Sequence, residues 1–147
     1  MSAAQSPAAR ITASRAFRAV AEAVVPEAAR LDDAGWAELA GLVAHALDRR
    51  PPAVRRQLRA FLGLLDAAAC LRFGRRLHRL DPDRRARLLR AVQDAPLLLV
   101  RRGMWGLRTL VLLGYYGRPA AAAEIGYRAD PRGWAARGRP DVRSEAP

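Results

Sequence analysis

Residues 96–114 read PLLLVRRGMWGLRTLVLLG and form the longest apolar region of the chain. Pro96 suits the first turn of a helix and Gly114 suits its end, so the region predicts a helix over 97–113. Three arginines interrupt the apolar side chains: Arg101, Arg102 and Arg108. That density of charge argues strongly against a membrane span and favours a long helix of a water-exposed protein.

A helical wheel divides this helix into two sides. One side carries Arg101, Trp105, Arg108 and Leu112, and the opposite side carries Leu99, Gly103, Gly106 and Leu110. A glycine inside a helix costs about 1 kcal/mol relative to alanine. Two glycines on one side therefore predict that another helix or a partner protein packs very close to that side.

Outward from this segment, apolar residues recur at the i, i+3, i+4, i+7 spacing of buried helix faces. The predicted core positions are Phe17, Val20, Ala21 and Val24; Trp36, Leu39, Ala40, Val43 and Leu47; Leu58, Phe61, Leu62 and Leu65; and Leu88, Leu89 and Val92. Capping residues and prolines give the boundaries. The predicted starts are Thr12, Asp32 or Asp33, Pro51-Pro52, Asp81-Pro82-Asp83 and Pro119, and the predicted stops include Pro26 and Gly126.

These segments predict an all-α fold: a compact bundle of about six helices with extended N- and C-terminal tails. The length of 147 residues suits one domain, and alanine and leucine dominate while aromatic residues make up only 6%. Residues 1–10 are predicted to be a flexible N-terminal arm, residues 11–127 the helical domain, and residues 128–147 a tail rich in Pro, Gly and Arg.

Charge is the most unusual feature of the composition. The net charge is +12, from 26 basic residues, all of them arginine, against 14 acidic ones. Such an excess indicates an acidic partner surface, a nucleic acid or an anionic membrane. Residue types that carry chemistry are scarce. His45 and His78 lack metal-ligand spacing, and the single cysteine, Cys70, is predicted to pack in the core. No catalytic, cofactor-binding or metal-binding residue is therefore predicted.

Aromatic residues are dense towards the C-terminal end of the chain. They are Trp105, Tyr115, Tyr116, Tyr127 and Trp134. Tyr and Trp favour places where one end of the side chain is dry and the other finds a polar partner, and protein interfaces are such places. These rings are therefore candidates for a partner interface. Capping of the bundle's own core is the alternative, and the pattern alone leaves both open.

The same region resembles a known family. The segment Tyr115-Tyr116-Gly117-Arg118-Pro119, followed by Glu124-Ile125-Gly126-Tyr127, resembles the C-terminal signature of the gluconate 2-dehydrogenase subunit 3 family. The run from Ile11-Thr12 to Val24-Val25-Pro26 is similar to that family's opening helix, and Leu77 to Arg84 resembles one of its helix starts. The resemblance covers about residues 11–127.

This resemblance implies a non-catalytic small subunit that binds, stabilises or helps to assemble a large FAD-dependent dehydrogenase of the glucose-methanol-choline type. It implies no cofactor on this chain, since the partner carries the FAD. Gly126 joins the five aromatic residues as a hypothetical interface position. Arg128-Ala129-Asp130-Pro131 stands where the family often has Gly-Pro, and the twin-arginine export signal of many members is missing.

Two other functions remain open at this stage. Arginine clusters such as Arg84-Arg85-Arg87-Arg90 would fit a helical nucleic-acid-binding protein, although no recognition motif accompanies them. A basic amphipathic protein on an anionic membrane is the other alternative. Without an apolar stretch behind the N-terminal arginines, the expected location is the cytoplasm, or the periphery of the membrane.

Overall fold

The structure, a computed structural model, describes residues 6–124, and every regular element in that range is helical. The α-helices of this range are α1 (Pro7–Thr12), α2 (Arg15–Val24), α3 (Asp33–Asp48), α4 (Pro52–Phe73), α5 (Pro82–Gln93), α6 (Leu98–Tyr116) and α7 (Pro119–Glu124). Two short 3₁₀ helices, Pro26–Arg30 and Leu77–Arg79, follow α2 and α4. The predicted all-α bundle is confirmed.

The buried faces are those that the apolar spacing predicts. Phe17 of α2, Leu39 of α3, Leu65 of α4 and Leu107 of α6 are completely buried in one common core. Leu88 and Leu89 of α5 complete the core from another side. Each such leucine or phenylalanine contributes roughly 1.5–3 kcal/mol by leaving water. The bundle is therefore held by the amphipathic pattern of its helices, with α6 packed mainly on α3 and α5.

The first helix boundaries differ from the prediction. Pro7–Thr12 is helical, with Ser6 as its cap and Ala8 fully buried, so residues 7–10 of the predicted arm belong to α1. Ser14 caps α2 by accepting the backbone N–H of Phe17 at 3.2 Å, and Thr12 does not. The hydroxyl of Thr12 instead donates to the carbonyl oxygen of Ala9 within α1.

Glycines lie near the C-terminal ends of both α4 and α6. The helix α4 runs without interruption to Phe73, and Gly74 then ends it with a left-handed φ of 66°. Only glycine adopts this conformation without strain. Gly114, predicted to end α6, lies within it, because the helix continues to Tyr116.

The start of α5 follows the prediction. The carboxylate of Asp81 accepts the backbone N–H of Arg84 at 2.9 Å, and Pro82 occupies the first helical position. That hydrogen bond lowers the pKa of Asp81 below its ordinary value of 3.8. Because the folded-state pKa is lowered, the cap stabilises the fold at neutral pH and loses its contribution as the pH falls through the lowered pKa.

Arg85 of α5 is used to join two helices. Its Nη1 donates to Oε2 of Glu22 on α2 at 3.1 Å, and its Nη2 donates to the carbonyl oxygen of Leu80 at 3.1 Å. The side chain of Arg85 is only 11% exposed. Charged hydrogen bonds in such surroundings contribute more than those at an open surface.

We expect Arg85→Met to lower the free energy of unfolding by about 2 kcal/mol, since Glu22 and the Leu80 carbonyl lose a charged donor. Arg84→Met is the matched control: Arg84 is about half exposed and pairs with Asp81 across a surface contact of 3.3 Å. Its expected effect is within about 0.5 kcal/mol. Urea unfolding of the two variants measures both values, and equal effects would contradict an internal role for Arg85.

In the described range, no helix has both the length and the apolar character needed to cross a membrane.

Candidate partner interface

One side of α6 faces away from the bundle and carries large apolar side chains. This outer face of α6 consists of Leu98, Arg102, Trp105, Thr109, Leu113 and Tyr116, all of them exposed. Trp105 is 71% exposed and Tyr116 48%. Around the axis of an ideal helix, the directions of Leu98, Trp105 and Tyr116 differ by no more than about 20°. The structure therefore brings Trp105 and Tyr116 onto one continuous face.

The opposite side of α6 explains why the outer face is free. Met104, Leu107 and Val111 are buried in the core, and α6 packs mainly on α3 and α5. A helix needs only one apolar face to join a bundle, so a second one has no role in the fold of residues 6–124. Several large apolar side chains on one exposed face are typical of an interaction surface.

A shallow apolar depression lies beside Trp105. It has a volume of about 450 Å³ and is lined by Leu98, Arg101, Arg102, Trp105 and Gly106. A Cβ at Gly106 would have no neighbouring atom within 4 Å, so this glycine leaves open space. No helix of the described residues packs against Gly106, so of the two predicted neighbours, another helix or a partner protein, only the partner remains at this position. A partner side chain could enter the depression from outside.

Gly103, by contrast, does serve close packing inside the chain. A Cβ at this position would lie 2.8 Å from the ring of Phe61, which belongs to α4. The aromatic ring thus sits directly on the backbone of α6. The two glycines that share one side of the wheel have different roles: the first seats an internal ring, and the second borders the exposed depression.

The charged side chains that α6 itself contributes are all positive. Arg101, Arg102 and Arg108 are exposed on α6, and this helix contains no acidic residue. The face therefore combines an apolar centre with an arginine border. A complementary partner would present apolar side chains surrounded by carboxylates.

Tyr115 does not belong to this face, although it was predicted to contact the partner. It is only 6% exposed and packs in the core. Its ring meets that of Tyr116 edge to face, with centroids 5.1 Å apart. Tyr115 therefore supports Tyr116 from below. Consecutive helical residues differ by about 100° in direction, so the two tyrosines of the pair cannot both face outward.

Arg118 is a buried residue of this region that was not among the predicted site residues. It is 4% exposed, its guanidinium stacks 4.5 Å from the centroid of Tyr115, and its Nε donates to the carbonyl oxygen of Tyr115 at 3.1 Å. The signal was its position inside the Tyr-Tyr-Gly-Arg-Pro segment. Arg118 fixes the turn between α6 and α7 and so the position of Tyr116.

Three predicted interface residues, Gly126, Tyr127 and Trp134, lie outside the described residues. His45 is exposed and His78 partly buried. The described part of the chain contains no group of three His, Cys, Asp or Glu side chains placed to hold a metal ion. Cys70 was predicted to be buried, but it is exposed on α4. The prediction was wrong because apolar neighbours in sequence do not determine which way a side chain faces.

The fold and this surface define a small helical protein with an exposed apolar and arginine-bordered interaction face. The family model described as gluconate 2-dehydrogenase subunit 3 matches residues 13–135, and the chain belongs to this family. The match extends beyond residue 127, into the segment predicted as a tail. Comparison with curated proteins and with solved structures gives no match. The family name assigns its members to a dehydrogenase complex as one of the subunits.

Proposed function

We propose that this chain is a non-catalytic small subunit that binds and stabilises a large FAD-dependent dehydrogenase of the glucose-methanol-choline type. The observation that carries the proposal is the outer face of α6, where Trp105 and Tyr116 are exposed together with Leu98 and Leu113. Family membership supports a subunit role. The large apolar residues of that face would leave water when the flavoprotein covers them.

In this proposal the partner holds the FAD and performs the redox chemistry. Dinucleotide sites of the common type are built from a strand, a glycine-rich turn and a helix. The described residues form helices and no strand, and Gly103 and Gly106 lie inside α6. The contribution of this chain is therefore an apolar surface that keeps the large subunit folded, and no group of the chain is assigned to the reaction.

The nucleic-acid alternative receives less support from the geometry. Of the arginines on α5, Arg85 is directed inward to Glu22 and Arg84 pairs with Asp81. The arginines of this helix therefore do not form one free basic face.

The proposal includes assembly in the cytoplasm, with contact at the membrane periphery as the alternative, and fractionation of cells that express the chain alone tests this location.

Co-expression with a large FAD-dependent flavoprotein of the glucose-methanol-choline type is the direct test. We expect the two chains to co-purify and the flavoprotein to melt higher in the complex than alone. A partner present at about 100 times its Kd adds roughly 2.7 kcal/mol to the stability of the protein it binds. A flavoprotein that retains its flavin and melts at the same temperature with and without this chain, and does not co-purify with it, would contradict the proposal.

The chain purified alone provides a second measurement. We expect no yellow colour from bound flavin and no oxidation of sugars or alcohols. A yellow preparation obtained without any partner would contradict the non-catalytic assignment.

A further inference from the structure

A second feature, at the C-terminal end of α4, is a cleft rich in arginine. It has a volume of about 680 Å³, within the range of small-molecule sites. We call it the arginine cleft; its lining residues are Arg15, Cys70, Gly74, Arg75, Arg76, His78 and Arg79. It is formed by the end of α4, the first residue of α2 and the 3₁₀ helix Leu77–Arg79. None of these residues belongs to the outer face of α6.

The backbone that carries these arginines is held in place. Gly74 turns the chain out of α4, and Oδ1 of Asp66 then accepts the backbone N–H of Leu77 at 2.9 Å. The Leu77 side chain is completely buried. The turn is thus anchored on both sides of Arg76, so the arginines project from a fixed backbone.

Within the described residues, the guanidinium groups of Arg15, Arg75 and Arg79 form no hydrogen bond or ion pair. Arg76 meets one carboxylate oxygen of Asp66 at 4.0 Å, the limit of an ion pair, while the other oxygen is engaged by Leu77. Exposed arginines without a side-chain partner occur elsewhere in the described residues, for example Arg56 and Arg59 of α4. The cleft differs from them because it gathers four guanidinium groups around one concave site.

The negative end of the α4 helix dipole is too weak to balance the charge of four arginines. A helix C-terminus carries only about half a negative charge. Asp66 adds one negative charge. Four guanidinium groups in one concave site therefore leave an excess of positive charge that an anion would neutralise. Guanidinium binds phosphate oxygens through paired hydrogen bonds, and several of them together suit a group with two or more negative charges.

We propose that the arginine cleft binds a phosphate-bearing anion. The phosphate group could belong to a small soluble compound or to a lipid headgroup. Leu71, which follows the cleft residue Cys70 on α4, is 90% exposed. The proposal does not depend on the role of the outer face of α6.

Calorimetric titration of the full chain with inorganic pyrophosphate at low ionic strength tests the proposal. The variant Arg75→Gln/Arg79→Gln removes two cleft cations, and Arg56→Gln/Arg59→Gln removes two exposed cations elsewhere on α4 at the same cost in net charge. We expect the wild type and the control variant to bind alike and the cleft variant to bind at least about tenfold more weakly. Circular dichroism melting checks that both variants fold.

The source of the phosphate is distinguished by co-sedimentation with phosphatidylcholine vesicles, with and without phosphatidic acid. Binding of pyrophosphate alone, lost in the cleft variant, supports a soluble ligand. Binding of phosphatidic acid vesicles alone, lost in the cleft variant, supports a lipid headgroup. The proposal is overturned if the wild type binds neither probe, or if the cleft and control variants bind equally well, since attraction would then depend on net charge alone.

Discussion

The double substitution Trp105→Ala/Tyr116→Ala is expected to weaken association with the large flavoprotein about a thousandfold while the isolated chain keeps its melting temperature. An aromatic residue at the centre of an interface costs about 2 kcal/mol or more when truncated. Two such losses, about 4 kcal/mol, correspond to roughly a thousandfold in Kd. Stability should change little because Trp105 is 71% and Tyr116 48% exposed.

Two further variants make this result specific. Leu64→Ala/Leu71→Ala removes two exposed apolar side chains from α4, which are 50% and 90% exposed, and should leave co-purification unchanged. Tyr115→Ala should have the opposite signature. Tyr115 is buried, so its truncation lowers the free energy of unfolding by about 3 kcal/mol and the isolated chain melts early. If the Trp105/Tyr116 variant folds normally and co-purifies at full yield, the outer face of α6 is not the interface.

The contrast between Tyr115 and Tyr116 shows what helical spacing can predict about this surface. Trp105 and Tyr116 are separated by three turns and share a face, whereas Tyr115 is one residue out of that register. This helical spacing is sufficient to place the two tyrosines on different faces. Proximity in sequence, which groups all the aromatic residues together, does not distinguish them. The same spacing correctly predicts the buried faces of α2, α3, α4 and α5, since those faces are set by local periodicity.

Features that depend on tertiary neighbours could not be predicted from spacing. The arginine cleft brings Arg15 together with residues 70–79, and no local pattern places the start of α2 beside the end of α4. Arg85 reads as one of four similar arginines, yet the position of Glu22 in the fold directs it inward. The partner interface is harder still, because an exposed apolar face indicates binding without defining what covers it.

Gly114 was the clearest failure of the local rules. Glycine after an apolar run normally indicates a helix end. Here a Cβ would lie 2.6 Å from Cγ2 of Val43 and 3.1 Å from the backbone oxygen of Leu39. Both neighbours belong to α3, so Gly114 is required by the close approach of two helices. A requirement set by α3, far away in sequence, cannot be read from residues 97–113.

The substitution Gly114→Val is therefore expected to lower the free energy of unfolding by about 3 kcal/mol. The side chain of Val43 can rotate away, but the Leu39 carbonyl moves only if α3 bends or the two helices separate. Overpacking in a well-packed core typically costs about 1–3 kcal/mol. We expect a value near the upper end because the clash involves a backbone atom. For a chain of this size the melting temperature should fall by about 10 °C.

Gly106→Val is the matched control, the same substitution in the same helix at a position with no atom within 4 Å of the new Cβ. Valine has the higher helix propensity, so this variant should be unchanged or more stable by up to about 0.5 kcal/mol. Thermal unfolding followed by circular dichroism measures the pair. Equal melting temperatures would mean that α3 and α6 do not approach as closely as the structure shows. If only the Gly114→Val variant melts at a lower temperature, the loss of stability is due to the contact with α3, because helix propensity acts on both positions alike.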